Sequence, residues 1–74
     1  MTLTQLTYTL AVAEKGNFTL AAETCFVTQP TLSMQVQKLE EELGVKLFNR
    51  NTKPIVLTPV GSKILKQARI IVDE

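Results

Sequence analysis

Seventy-four residues, 45% of them apolar with only three glycines and three prolines, suit one small packed domain and exclude both a second core and a disordered chain. A single cysteine excludes an internal disulfide framework, and no apolar run approaches the ~18 residues of a membrane span or the layout of a signal peptide, so a cytoplasmic protein is expected. The net charge of +1 conceals an uneven distribution: Lys46, Arg50, Lys53, Lys63, Lys66 and Arg69 fall in a stretch without one acid, whereas Lys15 and Lys38 precede it among five glutamates.

The first element is announced by Thr2-x-x-Gln5, a capping-box pattern. Leu3, Leu6, Leu10 and Ala13 then form a helical core stripe that Gly16 ends. Asn17 or Thr19 caps a short second helix over roughly Phe18–Cys25, whose Ala21 and Ala22 admit a close neighbour. A tight connection, Phe26-Val27-Thr28, leads to a third helix. There Thr28 is the N-cap, Pro30 sits in the first turn where its missing N–H matters least, and Leu32, Val36, Leu39 and Leu43 make one narrow apolar stripe. Pro30, Met34, Gln37, Lys38 and Glu41 point the opposite way. Two helices joined by so short a turn, the second capped and amphipathic, are the helix-turn-helix pattern.

Gly44 stops the third helix, and the character of the chain then changes. Val45–Phe48 and Ile55–Leu57 are β-prone runs on either side of the turn-forming stretch Asn49–Pro54, which predicts a basic two-stranded wing over about 46–57. Thr58-Pro59 opens a last helix running to Glu74. Ile64, Leu65, Ala68, Ile71 and Val72 give it more apolar surface than one small core needs, so these five residues are expected at a dimer interface. The fold expected is mainly α: a three-helix core, a two-stranded wing and a long C-terminal helix.

The front of the third helix carries the chemistry. An exposed helix that begins with amide, hydroxyl and thioether groups suits a DNA major groove, which makes residues 28–43 the candidate recognition helix. Gln29 can form two hydrogen bonds to an adenine edge or one to a phosphate. Thr28, Thr31 and Ser33 offer hydroxyls to phosphate or base, with Thr31 and Ser33 equally able to bond back to their own helix. Met34 can meet a thymine methyl, and Gln37 and Lys38 lie one turn further on, the lysine suited to a phosphate. Arg50 is expected to grip a phosphate bidentately. Glu40, Glu41 and Glu42 would repel phosphates, so the rear of this helix must leave the DNA. Cys25 reads as a small core residue. With no histidine, no glycine-rich phosphate loop and no paired acids off a helix face, the sequence offers no enzyme site, no metal site and no cofactor. A protein-binding module that uses its last helix as a zipper is the competing reading. The outward positions lack the aromatic anchors such a face would favour.

Five motifs stand in order: Asn17-Phe18-Thr19-x-Ala21-Ala22, Val27-Thr28-Gln29-Pro30-Thr31-Leu32-Ser33, Leu39-Glu40-x-x-Leu43-Gly44, Leu47-Phe48-x-Arg50 and Leu57-Thr58-Pro59-x-Gly61. Together they resemble the amino-terminal domain of LysR-type transcriptional regulators across essentially all 74 residues. The resemblance implies a winged helix-turn-helix over 1–58 and the start of a linker and dimerisation helix over 59–74, excised from an effector domain that lies outside this chain. It implies sequence-specific binding of double-stranded DNA in bacterial transcription regulation, on a dyad-related operator. It also implies a homodimer through the C-terminal helix and a tetramer in the full-length protein. The family further places Pro30 against base edges and the wing, here Lys53, at the minor groove. Cys25 with Gln29–Ser33 is most similar to the peroxide-responsive OxyR type, whose reactive cysteines belong to the absent domain. Met34 departs from the pattern, because many members carry arginine there.

Overall fold

The structure is a computed structural model and describes residues 1–73, so Glu74, expected to close the last helix, lies outside the described residues. The described chain runs α1 (Leu3–Lys15), α2 (Phe18–Thr24), α3 (Gln29–Leu43), β1 (Phe48–Asn49), β2 (Val56–Leu57) and α4 (Pro59–Asp73). This is the expected order of helix, helix-turn-helix, wing and long helix.

Local signals account for where the helices start and stop. The Thr2 hydroxyl accepts from the Gln5 N–H at 3.0 Å while the Gln5 side chain accepts from the Thr2 N–H at 3.1 Å, a complete capping box. Asn17 caps α2 by accepting from the Leu20 N–H at 2.9 Å. Thr28 caps α3, with Pro30 in its first turn. Gly16 and Gly44 end α1 and α3 in the left-handed conformation.

Leu32, Val36 and Leu39 of α3 are fully buried against Leu6, Leu10 and Val12 of α1 and Phe18, Ala21 and Ala22 of α2. Leu47 and Phe48 close this core from the wing side, and Leu65 and Ala68 close it from α4. Phe48 meets Phe18 edge to face at 6.0 Å between ring centres. At the other end, the Met1 ammonium pairs with Glu42, joining the start of the chain to the end of α3.

The sheet is antiparallel, pairing Phe48 with Leu57 and Asn49 with Val56, and is shorter than expected. Of the residues expected to extend it, Leu47 stays in register with Thr58 only through its carbonyl, and Ile55 bonds outside the sheet. The Leu47 N–H donates to Glu40 Oε2 at 2.8 Å and its carbonyl accepts from the Thr58 N–H at 2.9 Å. The Ile55 N–H donates to the Gly16 carbonyl at 3.0 Å, which ties the wing to the end of α1.

Glu40 is a correction to the reading of an acidic solvated face. It is buried, and both carboxylate oxygens are engaged, one by Leu47 N–H and the other by Arg50. Only Glu41 and Glu42 are exposed there. Thr58 anchors the start of α4: its hydroxyl donates to the Lys46 carbonyl at 2.6 Å and accepts from the Gly61 N–H at 3.0 Å. Gly61 lies directly on the Leu47 carbonyl, so close that a Cβ at this position would stand 2.3 Å from that oxygen.

Candidate nucleic-acid interface

The start of α3 is an exposed, uncharged surface with its own internal order. Gln29, Pro30, Thr31, Met34, Gln37 and Lys38 are exposed and Ser33 is half-buried, so every expected position on this helix reaches the surface. The Thr28 hydroxyl donates to the Thr31 hydroxyl at 2.8 Å, and Gln29 Nε2 donates to Ser33 Oγ at 2.7 Å. Met34 is 47% exposed although methionine usually fills core gaps, which leaves its thioether free for an apolar contact.

The turn into α3 contains a residue whose geometry the sequence reading passed over. Phe26 has φ 60°, a left-handed conformation rarely adopted by bulky residues, and its ring is 94% exposed. The Val27 N–H donates to the Ala22 carbonyl at 3.0 Å, the six-to-one bond of a Schellman ending, and Phe26 occupies the position where glycine is usual. Cys25, just before it, is half-buried against the core. Burial pushes its thiol up, which favours the protonated form over the thiolate.

In the wing the two expected cations part company. Lys53 is exposed beside the turn, whose shape is held by the Thr52 hydroxyl, with Asn49 and Pro54 carbonyls as acceptors at 3.2 and 3.0 Å. Arg50 turns inward: Nη2 donates to Glu40 Oε1 at 2.8 Å and the guanidinium stands 4.6 Å from the centre of the Phe18 ring. Glu40, buried and needing compensation, thus engages one guanidinium nitrogen of Arg50, whose side chain stays 42% exposed.

Lys53 instead shares an open cleft of about 390 Å³ with Lys15, Asn17, Thr19 and Leu20 of the α1–α2 corner. Sequence reasoning did not bring Lys15 and Thr19 to the interface. They lie far from Lys53 along the chain, and only the Ile55–Gly16 bond shows that the wing folds onto this corner.

The expected dimer residues also divide. Leu65 and Ala68 are 4% and 3% exposed, already covered by their own chain, and are corrected to core residues. Ile71 is 55% exposed, Ile64 and Val72 are half-buried, and Val60 and Ile70 add apolar surface that had not been assigned. Ile64 and Ile71 line a narrow apolar groove of about 250 Å³ with Met1, Leu6 and Leu43. Among the described residues no helix is long and apolar enough to cross a membrane, and no group of three or more His, Cys, Asp or Glu side chains is placed to hold a metal ion.

Residues 3–62 match the family described as bacterial regulatory helix-turn-helix protein, lysR family. The chain belongs to the lysR family. Relatives include the hydrogen peroxide-inducible genes activator of Pectobacterium carotovorum, 43% identical over all 74 residues and over 24% of its own length. A probable cat1 operon transcriptional activator from Acinetobacter lwoffii is 48% identical over 68 residues, 92% of this chain and 22% of the relative. Identity is thus similar toward a regulator named for hydrogen peroxide and one named for an operon. The chain spans about a quarter of the length of the curated relatives it matches.

Solved lysR-family structures share the fold closely. The DNA-binding domain of BenM in complex with benA site 1 DNA superposes with a TM-score of 0.95 at 41% identity, covering 99% of this chain and 82% of that one. A full-length OxyR variant from Pseudomonas aeruginosa gives 0.92 at 49% identity, over 99% of this chain and 25% of its own.

Proposed function

We infer that this lysR-family chain binds double-stranded DNA sequence-specifically and serves transcriptional regulation in the bacterial cytoplasm. Residues 1–58 form the DNA-binding unit, and residues 59–74 begin the helix that pairs two copies on a dyad-related operator, with tetramers in the longer protein. Thr28, Gln29, Pro30, Thr31, Met34, Gln37 and Lys38 face the major groove, while Lys53 reaches the backbone or minor groove beside it. The observation that carries this reading is the exposed, uncharged hydrogen-bonding front of α3 in a chain whose wing carries exposed Lys46 and Lys53. Base edges need neutral donors and acceptors, and phosphates need cations. The lysR-family complexes with DNA support the same assignment.

A fluorescence anisotropy titration against duplex DNA at several salt concentrations tests it. Six to eight phosphate contacts per pair of copies give a slope of log affinity on log salt of about −5 to −7, from roughly 0.9 per contact. Affinity indifferent to salt overturns the reading.

A further inference from the structure

We propose that Ser33 is a positioning residue that holds the Gln29 amide in an adenine-reading orientation, and so sets base preference without touching a base. This rests on the DNA-binding reading above. Gln29 Nε2 donates to Ser33 Oγ at 2.7 Å, one helical turn along the same face. A glutamine amide has two N–H donors and one carbonyl acceptor. With one N–H engaged by Ser33, the other N–H and Oε1 form the outward edge of an exposed side chain. That edge complements adenine, whose N7 accepts and whose N6 amino group donates. It opposes guanine, where N7 and O6 both accept and would set an oxygen against Oε1.

The last torsion of a glutamine is broad and its side chain otherwise mobile, so an unheld amide would present either orientation. Ser33 holds the observed orientation by accepting from Nε2. The flipped amide would accept from the Ser33 O–H, turn its N–H groups outward and select guanine, which the base read in the test distinguishes. Ser33 is half-buried as a residue, unlike its exposed neighbours Gln29, Pro30, Thr31 and Met34, and its hydroxyl already accepts from Gln29. Thr28 and Thr31 are likewise bonded to each other, so Gln29 presents the free amide edge in this turn.

The test is selection from a random duplex library followed by sequencing, using the 74-residue chain, Gln29→Ala, Ser33→Ala and Ser33→Thr. The base pair whose preference vanishes in Gln29→Ala marks the position that Gln29 reads. Wild type should favour adenine there by roughly 5- to 150-fold, the range for a two-bonded pair. Ser33→Ala should reduce this to about threefold, the worth of one unaided hydrogen bond, and leave other positions intact. Ser33→Thr, which keeps the hydroxyl, should retain the preference. Replacing that adenine by 7-deazaadenine should weaken wild type and scarcely affect Ser33→Ala.

The proposal is overturned if Ser33→Ala keeps full adenine preference, or if the base is not adenine. It is also overturned if Ser33→Ala weakens all duplexes alike with a salt slope smaller by about 0.9, the mark of a phosphate contact. A wild-type chain with no preference at any position would instead overturn the sequence-specific reading itself.

Discussion

Arg50 and Glu40 form an ion pair at 2.8 Å in which the carboxylate is 2% exposed and the guanidinium 42%, so the entrance of the wing is bonded to the rear of α3. Glu40 also accepts from the Leu47 N–H, and Arg50 covers the Phe18 ring at the start of α2. The ion pair thus links α3, the approach to β1 and the start of α2. The wing can hold its place relative to α3 although its sheet is only two residues long on each strand.

Arg50→Ala leaves a buried carboxylate with one donor instead of two. The expected loss is about 1–3 kcal/mol in urea unfolding, the penalty for an under-satisfied buried group, moderated because the arginine is partly in water. At a temperature where the variant stays folded, its slope of log affinity on log salt should match wild type. A slope smaller by roughly 0.9 would mean that Arg50 contacts a phosphate after all.

Gly61 and Gly44 should respond to alanine for different reasons. At Gly61 the new methyl would stand 2.3 Å from the Leu47 carbonyl oxygen, a backbone atom fixed by its bond to Thr58, so α4 or the wing entrance must move. A loss of about 1–3 kcal/mol is expected, typical of overpacking, or about 4–8 °C in Tm for each kcal/mol. At Gly44 nothing lies within 4 Å, and the loss of about 1–2 kcal/mol comes only from φ 71°. Calorimetry on both, with DNA binding measured for each, separates the cases. Gly61→Ala should also weaken DNA binding through a displaced wing, whereas Gly44→Ala should not.

Phe26 holds a left-handed backbone position while its ring stays in solvent. Phe26→Gly removes the strain and gives up almost no buried surface. It should raise stability by up to about 1 kcal/mol, the left-handed penalty less the extra backbone entropy of glycine. A fall in Tm would show that the ring packs against something in solution.

Helix ends were legible because their signals are local. Thr2 with Gln5, Asn17, Thr28 and Gly44 each act within one turn of the chain, and each does what its spacing implies. The front of α3 was legible for the same reason: the apolar stripe Leu32, Val36 and Leu39 fixes which residues face out. Glu40 was not, since the first of three consecutive acids gives no hint that Leu47 N–H and Arg50 will reach it from beyond the turn at Gly44. Helical periodicity likewise marked an apolar arc on α4, but Leu65 and Ala68 meet their own core only because Thr58 and Gly61 set the angle at which α4 leaves the wing.

The remaining apolar arc of α4 supplies the last test. Ile71 is 55% exposed and Ile70 58%, whereas Ala68 is buried, so a charge at 71 and a charge at 68 should have opposite signatures. Ile71→Asp should leave the single chain folded, with unchanged circular dichroism and a Tm within a few degrees of wild type, since exposed substitutions usually fall within about 0.5 kcal/mol. Ala68→Asp should lose the folded state outright, because it buries an unpaired carboxylate. If α4 pairs two copies, Ile71→Asp should weaken binding to a selected dyad duplex by tenfold or more, roughly the 1.4 kcal/mol of a modest apolar contact. It should change binding by less than about twofold when one half of that duplex is scrambled, since a lone half-site engages one copy. Equal losses on both duplexes would mean that Ile71 acts within its own chain, and pairing through this helix would have to be abandoned.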